Sequence, residues 1–316
     1  MTYAPASACG RGCLPQLSTV PRVALPIRTL RVLALVAVLT GGIGLALVVP
    51  WLSATTRGRA MRSWFRAVVA ASGVRLLVHD SRSRPAGQTR TAATPSFGQP
   101  HSSDGRRGPD ELRGLDELRG PDGEAVLVAA NHVSWLDIPA LLAVASLRVV
   151  AKSDVRGWPV LGLLAARGGT IFIDRRRLRR LPQTVAEIAQ AIRDGQSVLV
   201  FPEGSTWCGR VQGRTYPATL ESAIDAGASV RPVALRYRFA DGSPTAVAAF
   251  VGDDTMLASV WRVVSARGLV VDVDIRPLVA APGRRRREIA AAVAAELACG
   301  QAPPATAPTV EVPHLV

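Results

Sequence analysis

The chain has 316 residues, 48% apolar and 20% charged, which excludes a wholly disordered chain and leaves ample material for a core. Its 38 basic side chains against 24 acidic ones give a formal charge of +14, and with Lys152 the only lysine nearly all of that charge is arginine. Arginine is always charged and suits phosphate, so the excess points to an anionic partner: nucleic acid, an anionic membrane surface or a phosphorylated substrate.

Taken in chain order, residues 1–28 read as a disordered N-terminus holding Cys9 and Cys13, a C-x3-C pair with no second half nearby. With Cys208 and Cys299 the four cysteines fall at no spacing of a paired metal site or a disulfide framework, so reduced thiols and no metal are expected. Residues 29–73 read as a membrane anchor followed by an interfacial helix. Within them, 32–52 carry no charge over 21 positions, which at about 1.5 Å per helical residue approaches the thickness of a bilayer core. Gly41, Gly42 and Gly44 near the middle leave a re-entrant hairpin open beside a full span. Arg57, Arg59, Arg62 and Arg66 after the segment outnumber Arg22, Arg28 and Arg31 before it, a slight preference for a cytoplasmic C-terminal side. The stretch around Trp64, Phe65, Val68 and Val69 fits a helix at a membrane surface or one packed on the following domain.

From residue 74 strands and helices alternate. VRLLVH at 74–79 and AVLVAA at 125–130 read as strands, with 81–123 between them as a disordered insertion in what would otherwise be a hairpin loop; it holds DELRG at 110–114 and again at 116–120. LRVVAK and TIFID are strand-like, and Val185, Ile188, Ala189 and Ile192 have the spacing of an amphipathic helix stopped by Gly195. SVLVF, the helix-like TLESAIDAG, the strand VRPVALRY with Pro232 suggesting an edge, a helix near 255–267 and the strand LVVDVDI complete a domain over 74–280. A C-terminal helix over 281–300 and a disordered tail over 301–316 follow. The expected fold is a single α/β domain with a mostly parallel or mixed sheet flanked by helices, preceded by an N-terminal membrane-associated helical segment.

Side chains at a strand-to-helix junction stand at the rim of a sheet, where open α/β folds bind ligands. NHVSWLD at 131–137 places His132 and Asp137 at such a junction: imidazole can take a proton from an alcohol, and a carboxylate on its other nitrogen would fix the tautomer. TIFIDR ends a strand with Arg175, suited to a bidentate grip on phosphate, and Lys152 ends another. In FPEGSTWCGR at 201–210, Gly204 permits close backbone approach, and Glu203 can accept from substrate hydroxyls or hold a basic side chain.

The ordered set NHVSWLD, TIFIDR, FPEGST and VRPVALRY resembles the four blocks of the glycerophospholipid acyltransferase family, typified by 1-acyl-glycerol-3-phosphate acyltransferases. The resemblance implies acyl transfer from an acyl-CoA or acyl-carrier-protein thioester to a lysophospholipid hydroxyl, with no bound cofactor, by an enzyme of the cell membrane whose catalytic domain is cytoplasmic. Carried over by position, His132 would be the general base, Asp137 its partner, Arg175 a phosphate ligand, and Glu203 and Gly204 part of the acceptor site, with Lys152 a further phosphate candidate. The family usually has Thr then Arg after the third block's Pro-Glu-Gly; here Ser205, Thr206 and Trp207 follow and the nearest arginine is Arg210. Third blocks of that kind resemble relatives that acylate lyso-ornithine lipids, the alternative acceptor. A non-enzymatic arginine-rich membrane scaffold would explain the charge but not the strand-end residues. With 5% aromatic content and no recognition motif, nucleic acid is not an expected partner.

Overall fold

The computed structural model describes residues 7–16, 18–82, 118–157, 167–174, 178–301 and 309–311. Its centre is an eight-stranded sheet of order β4-β3-β5-β2-β6-β7-β1-β8. The strands are β1 (Val74–Asp80), β2 (Leu127–Ala130), β3 (Arg148–Lys152), β4 (Ile171–Ile173), β5 (Val198–Val200), β6 (Val230–Phe239), β7 (Leu269–Ile275) and β8 (Thr309–Glu311). From β4 through β6 every pairing is parallel; β7 is antiparallel to β6, β1 parallel to β7, and β8 antiparallel to β1. The helices are α1 (Leu25–Val48), α2 (Ala54–Ala71), α3 (Asp137–Val144), α4 (Leu181–Arg193), α5 (Glu221–Ala226), α6 (Met256–Ser265) and α7 (Arg286–Gln301).

Strand alternation builds two apolar layers. Leu127 and Ala129 of β2 pack with Ile188 and Ile192 of α4, Ala223 of α5 and Ile289 and Val293 of α7. Val128 and Ala130 face the other way, onto Val69 of α2, Leu141 and Val144 of α3 and Val263 of α6. Helix ends follow local chemistry: Gly195, at φ +79°, closes α4 with bonds from Gly195 N–H to the Ile192 carbonyl and Gln196 N–H to the Ala191 carbonyl, the paired pattern of a glycine stop. Thr255 opens α6 by accepting from the Ala258 N–H at 3.2 Å.

Several expectations are corrected. β1 and β2 are not a hairpin, because β6 and β7 lie between them. Within 81–123, Ser81 N–H bonds to the Ile275 carbonyl, Leu118 is fully buried and Arg119 binds the carbonyls of Gly123 and Gly195, so both flanks are ordered and only 83–117 lies outside the described residues. The N-terminal stretch is packed rather than disordered from residue 7, apart from the undescribed residue 17: Cys9, Val20 and Val23 are buried and the Val23 N–H bonds to the Ser265 carbonyl. Residues 309–311, expected in a disordered tail, add β8 to the sheet. β6 is central rather than an edge strand; Pro232 is tolerated because it sits just before pairing with β7 begins at Val233, and its carbonyl accepts from Arg276 N–H at 3.0 Å.

α2 packs against α3, with Arg66 Nε donating to the Ala143 carbonyl at 3.1 Å and Val68 and Val69 buried, as the reading of that stretch as packed on the following domain has it. α1 is, among the described residues, the helix long and apolar enough to cross a membrane. It is docked along its length: Arg31 binds the Val264 and Ala266 carbonyls, the Trp64 indole donates to the Val38 carbonyl at 2.8 Å, and Arg167 reaches the Ala46 carbonyl at 3.2 Å. Its outer side stays apolar and uncovered, with Leu30 65% and Leu33 61% exposed, and α6, which packs on α1, exposes Leu257 and Trp261 as well. This face marks the protein for membrane association.

Candidate active site

β2, β3, β4 and β5 run parallel, so their carboxyl ends lie on one edge of the sheet. That edge brings together His132 just after β2, Lys152 at the end of β3, Asp174 after β4 and Gly204 after β5, all on the wall of one groove of about 1230 Å³. The groove continues from His132 to the apolar side chains Leu35, Leu39 and Leu45 of α1 and Trp64 and Phe65 of α2.

The turn from β2 into α3 places His132 Nδ1 at 2.8 Å from Asp137 Oδ2. Asp137 is fully buried and saturated: Oδ2 also accepts from the Val133 N–H at 2.6 Å and the Ser134 N–H at 2.8 Å, and Oδ1 accepts from the Tyr237 hydroxyl at 2.7 Å. These donors hold the carboxylate in one orientation, so it accepts the Nδ1 proton and leaves Nε2 as the basic nitrogen of an imidazole that is 19% exposed. The ring is stacked on Phe201, with centroids 4.0 Å apart and planes 17° from parallel. Burial, with the Asp137 charge and the hydrogen bond it accepts, pushes the Tyr237 hydroxyl well above its ordinary value, so it stays a donor.

Glu203 does a different job from the one expected of it. It is buried, with Oε2 accepting from the His132 N–H and Oε1 from the Gly213 N–H, both at 2.8 Å, and its side chain does not line the groove. It fixes the backbone of His132. Burial pushes its carboxyl up to about 7, the Asp137 charge adds to the rise, and the two amide bonds oppose it. The Trp207 N–H donates to the His132 carbonyl at 2.7 Å, so the third block holds both the N–H and the carbonyl of His132.

Of the residues singled out from the sequence, His132 and Asp137 meet as expected, and Gly204 and Lys152 line the same groove. Arg175 lies outside the described residues. Tyr237 was missed as a partner of Asp137, although it closes the fourth block; its contact spans 100 residues and leaves no local signal. Asn131 was missed too: its amide donates to the Leu235 carbonyl at 3.0 Å and accepts from the Leu235 N–H at 2.7 Å, tying the end of β2 to β6 where β6 runs past it.

Residues 111–236 match the family model described as Acyltransferase. A lyso-ornithine lipid O-acyltransferase of Pseudomonas aeruginosa is 39% identical over 169 residues, covering 53% of this chain and 64% of that protein. A 1-acyl-sn-glycerol-3-phosphate acyltransferase of Neisseria gonorrhoeae is 42% identical over 154 residues, covering 49% of this chain and 59% of that one. The chain thus spans about three-fifths of the length of these curated relatives. The solved structure of the 1-acyl-sn-glycerophosphate acyltransferase PlsC of Thermotoga maritima superposes with a TM-score of 0.57 at 16% identity, covering 88% of this chain and 96% of that one, a likeness of fold. Residues 111–236 are thus similar to the acyltransferase model, on a fold like that of the Thermotoga maritima structure. Among curated proteins the chain is similar to both 1-acyl-sn-glycerol-3-phosphate acyltransferases and lyso-ornithine lipid O-acyltransferases.

Proposed function

We propose that the protein is a membrane-associated O-acyltransferase that moves a fatty acyl group from an acyl-CoA or acyl-carrier-protein thioester to a lysolipid hydroxyl, with 1-acyl-glycerol-3-phosphate the acceptor and phosphatidic acid the product. The observation that carries this reading is the His132–Asp137–Tyr237 chain, whose open imidazole edge faces a groove running to the apolar side chains of α1. His132 Nε2 takes the acceptor hydroxyl proton as the oxygen attacks the thioester carbonyl carbon. The carbon–sulfur bond then breaks and the departing thiol recovers the proton. Asp137 stabilises the imidazolium formed on the way.

Acyl chains would lie along the groove toward α1, and Lys152 and the arginines of its wall, with Arg175 as a further ligand, would meet the acceptor's anionic head. α1 is about 36 Å long and is tied to the domain near both ends, so a perpendicular span would drag polar surface into hydrocarbon. It would instead lie at the membrane surface, with the catalytic domain on the cytoplasmic side of the cell membrane.

A second acceptor, lyso-ornithine lipid, is favoured by the third block: Arg210, the nearest arginine after Gly204, does not line the groove, while Ser205 and Thr206 do. Purified full chain in detergent, given acyl-CoA and a panel of lysolipids and read by mass spectrometry, separates the two. Phosphatidic acid should form, and His132→Ala should slow it by about 10²–10⁴-fold. Product from lyso-ornithine lipid alone would move the assignment to the second acceptor, and no product from any lysolipid would reject the enzyme reading.

A further inference from the structure

The second half that the Cys9–Cys13 pair lacks in sequence is supplied by the fold. The sulfurs of Cys9, Cys13 and Cys208 all lie within 4.8 Å of one another. The backbone explains how they meet. Arg11–Cys13 is a 3₁₀ turn closed by the Cys13 N–H on the Gly10 carbonyl at 2.9 Å, which folds the Cys-Gly-Arg-Gly-Cys segment back on itself. The segment lies hard against the loop after residue 250: a Cβ on Gly252, at φ +65°, would stand 3.1 Å from the Gly10 Cα, and Arg11 pairs with Asp253 at 3.0 Å. Cys208 reaches the same point from the loop that carries Glu203 and Trp207.

The chemistry of the cluster is that of a soft-ion site. All three donors are sulfur, which selects zinc or another soft ion over magnesium or calcium. At a zinc–sulfur distance of about 2.3 Å, ligands of a tetrahedral ion stand about 3.8 Å apart, within small side-chain rotations of the observed cluster. Cys9 and Cys208 are buried and Cys13 is half-buried, so one side opens to solvent, giving an ion a way in and a water a place to bind.

We propose that Cys9, Cys13 and Cys208 bind one zinc ion as three thiolates, with water in the fourth position on the Cys13 side, and that the ion clips the N-terminal arm to the loop supporting His132. Binding displaces three thiol protons to solvent and needs no redox partner. The ion would touch no substrate. Its effect would pass through Trp207, next to Cys208, whose N–H holds the His132 carbonyl, and through Glu203 on the same loop.

The full chain, expressed with zinc and purified in detergent without chelator, should carry about one zinc per chain by elemental analysis. Cys13→Ser and Cys208→Ser should each lower that at least tenfold, while Cys299→Ser, exposed and outside the cluster, should leave it unchanged. Cobalt added to metal-stripped wild type should give thiolate charge-transfer and tetrahedral ligand-field bands, which tests the site without any variant having to fold. Wild type that holds less than a tenth of an equivalent of zinc and shows no cobalt bands would overturn the proposal. So would zinc retained equally by the cysteine variants, or an intact mass two hydrogens light from a disulfide within the cluster.

Discussion

Replacing Asp137 by Asn separates the chemical role of this residue from its structural one. An Asn carbonyl oxygen in the place of Oδ2 keeps the His132 ring N–H and the Val133 and Ser134 amides as donors, at the present 2.8, 2.6 and 2.8 Å. Only the Tyr237 hydroxyl proton loses its acceptor, because the new amide nitrogen faces it from where Oδ1 stands. One buried unsatisfied donor costs about 1–3 kcal/mol, so Asp137→Asn should stay folded. Asp137→Ala, which orphans the two backbone amides as well, should cost several kcal/mol more. The rate effect is larger and has another origin, since Asn carries no charge to stabilise the imidazolium formed when His132 takes the acceptor proton. A loss of about 10²–10⁴ in kcat follows, equivalent to about 2.7–5.4 kcal/mol of barrier. KM for both substrates should barely move, because Asp137 is fully buried and not on the groove wall. Steady-state turnover of acyl-CoA and lysolipid, beside thermal unfolding of the same samples, reads both effects. A kcat within tenfold of wild type in a folded Asn variant would reduce Asp137 to a cap on α3.

Tyr237→Phe should lower kcat about tenfold with KM unchanged, as Asp137 loses one of its donors and its grip on the ring loosens; a change confined to KM would place Tyr237 in acceptor binding instead. Glu203, raised in the folded protein from its ordinary 4.5 to about 7, favours folding when protonated. That contribution, on the order of 3 kcal/mol, is fully present below about pH 4.5 and is lost as pH rises through about 7. Glu203→Gln should flatten the dependence of chemical denaturation on pH across that window, and an unchanged slope would refute the assignment. Replacing 83–117 by about eight Gly/Ser residues should preserve turnover, since the two flanks are anchored separately and the gap from β1 to β2 is three strand steps, about 14 Å. Loss of soluble folded protein would show that the excised segment takes part in the core.

The parts of this fold that were legible in the sequence are those encoded within a few residues. Each central strand is a short apolar run, and α4 carries its own periodicity and its own glycine stop, so the α/β alternation could be read directly. The His132–Asp137 pair was legible for the same reason, because five residues around a strand end fix its geometry. What could not be read is whatever depends on which strands become neighbours. The insertion of β6 and β7 between β1 and β2 turned an apparent hairpin into a crossover, and the same arrangement carries Tyr237 to Asp137. Glu203 shows the limit most clearly. A carboxylate after Pro in a strand-end loop has the same local sequence whether it faces a substrate or turns inward. The difference is made by two amide donors, one of which, Gly213, stands ten residues further on. The arm before α1 hides its packing in the same way: its turn residues are those of a loop, and its holds on the rest of the chain, the Arg11–Asp253 pair, the Val23–Ser265 bond and the meeting of Cys9 and Cys13 with Cys208, all span long stretches of sequence.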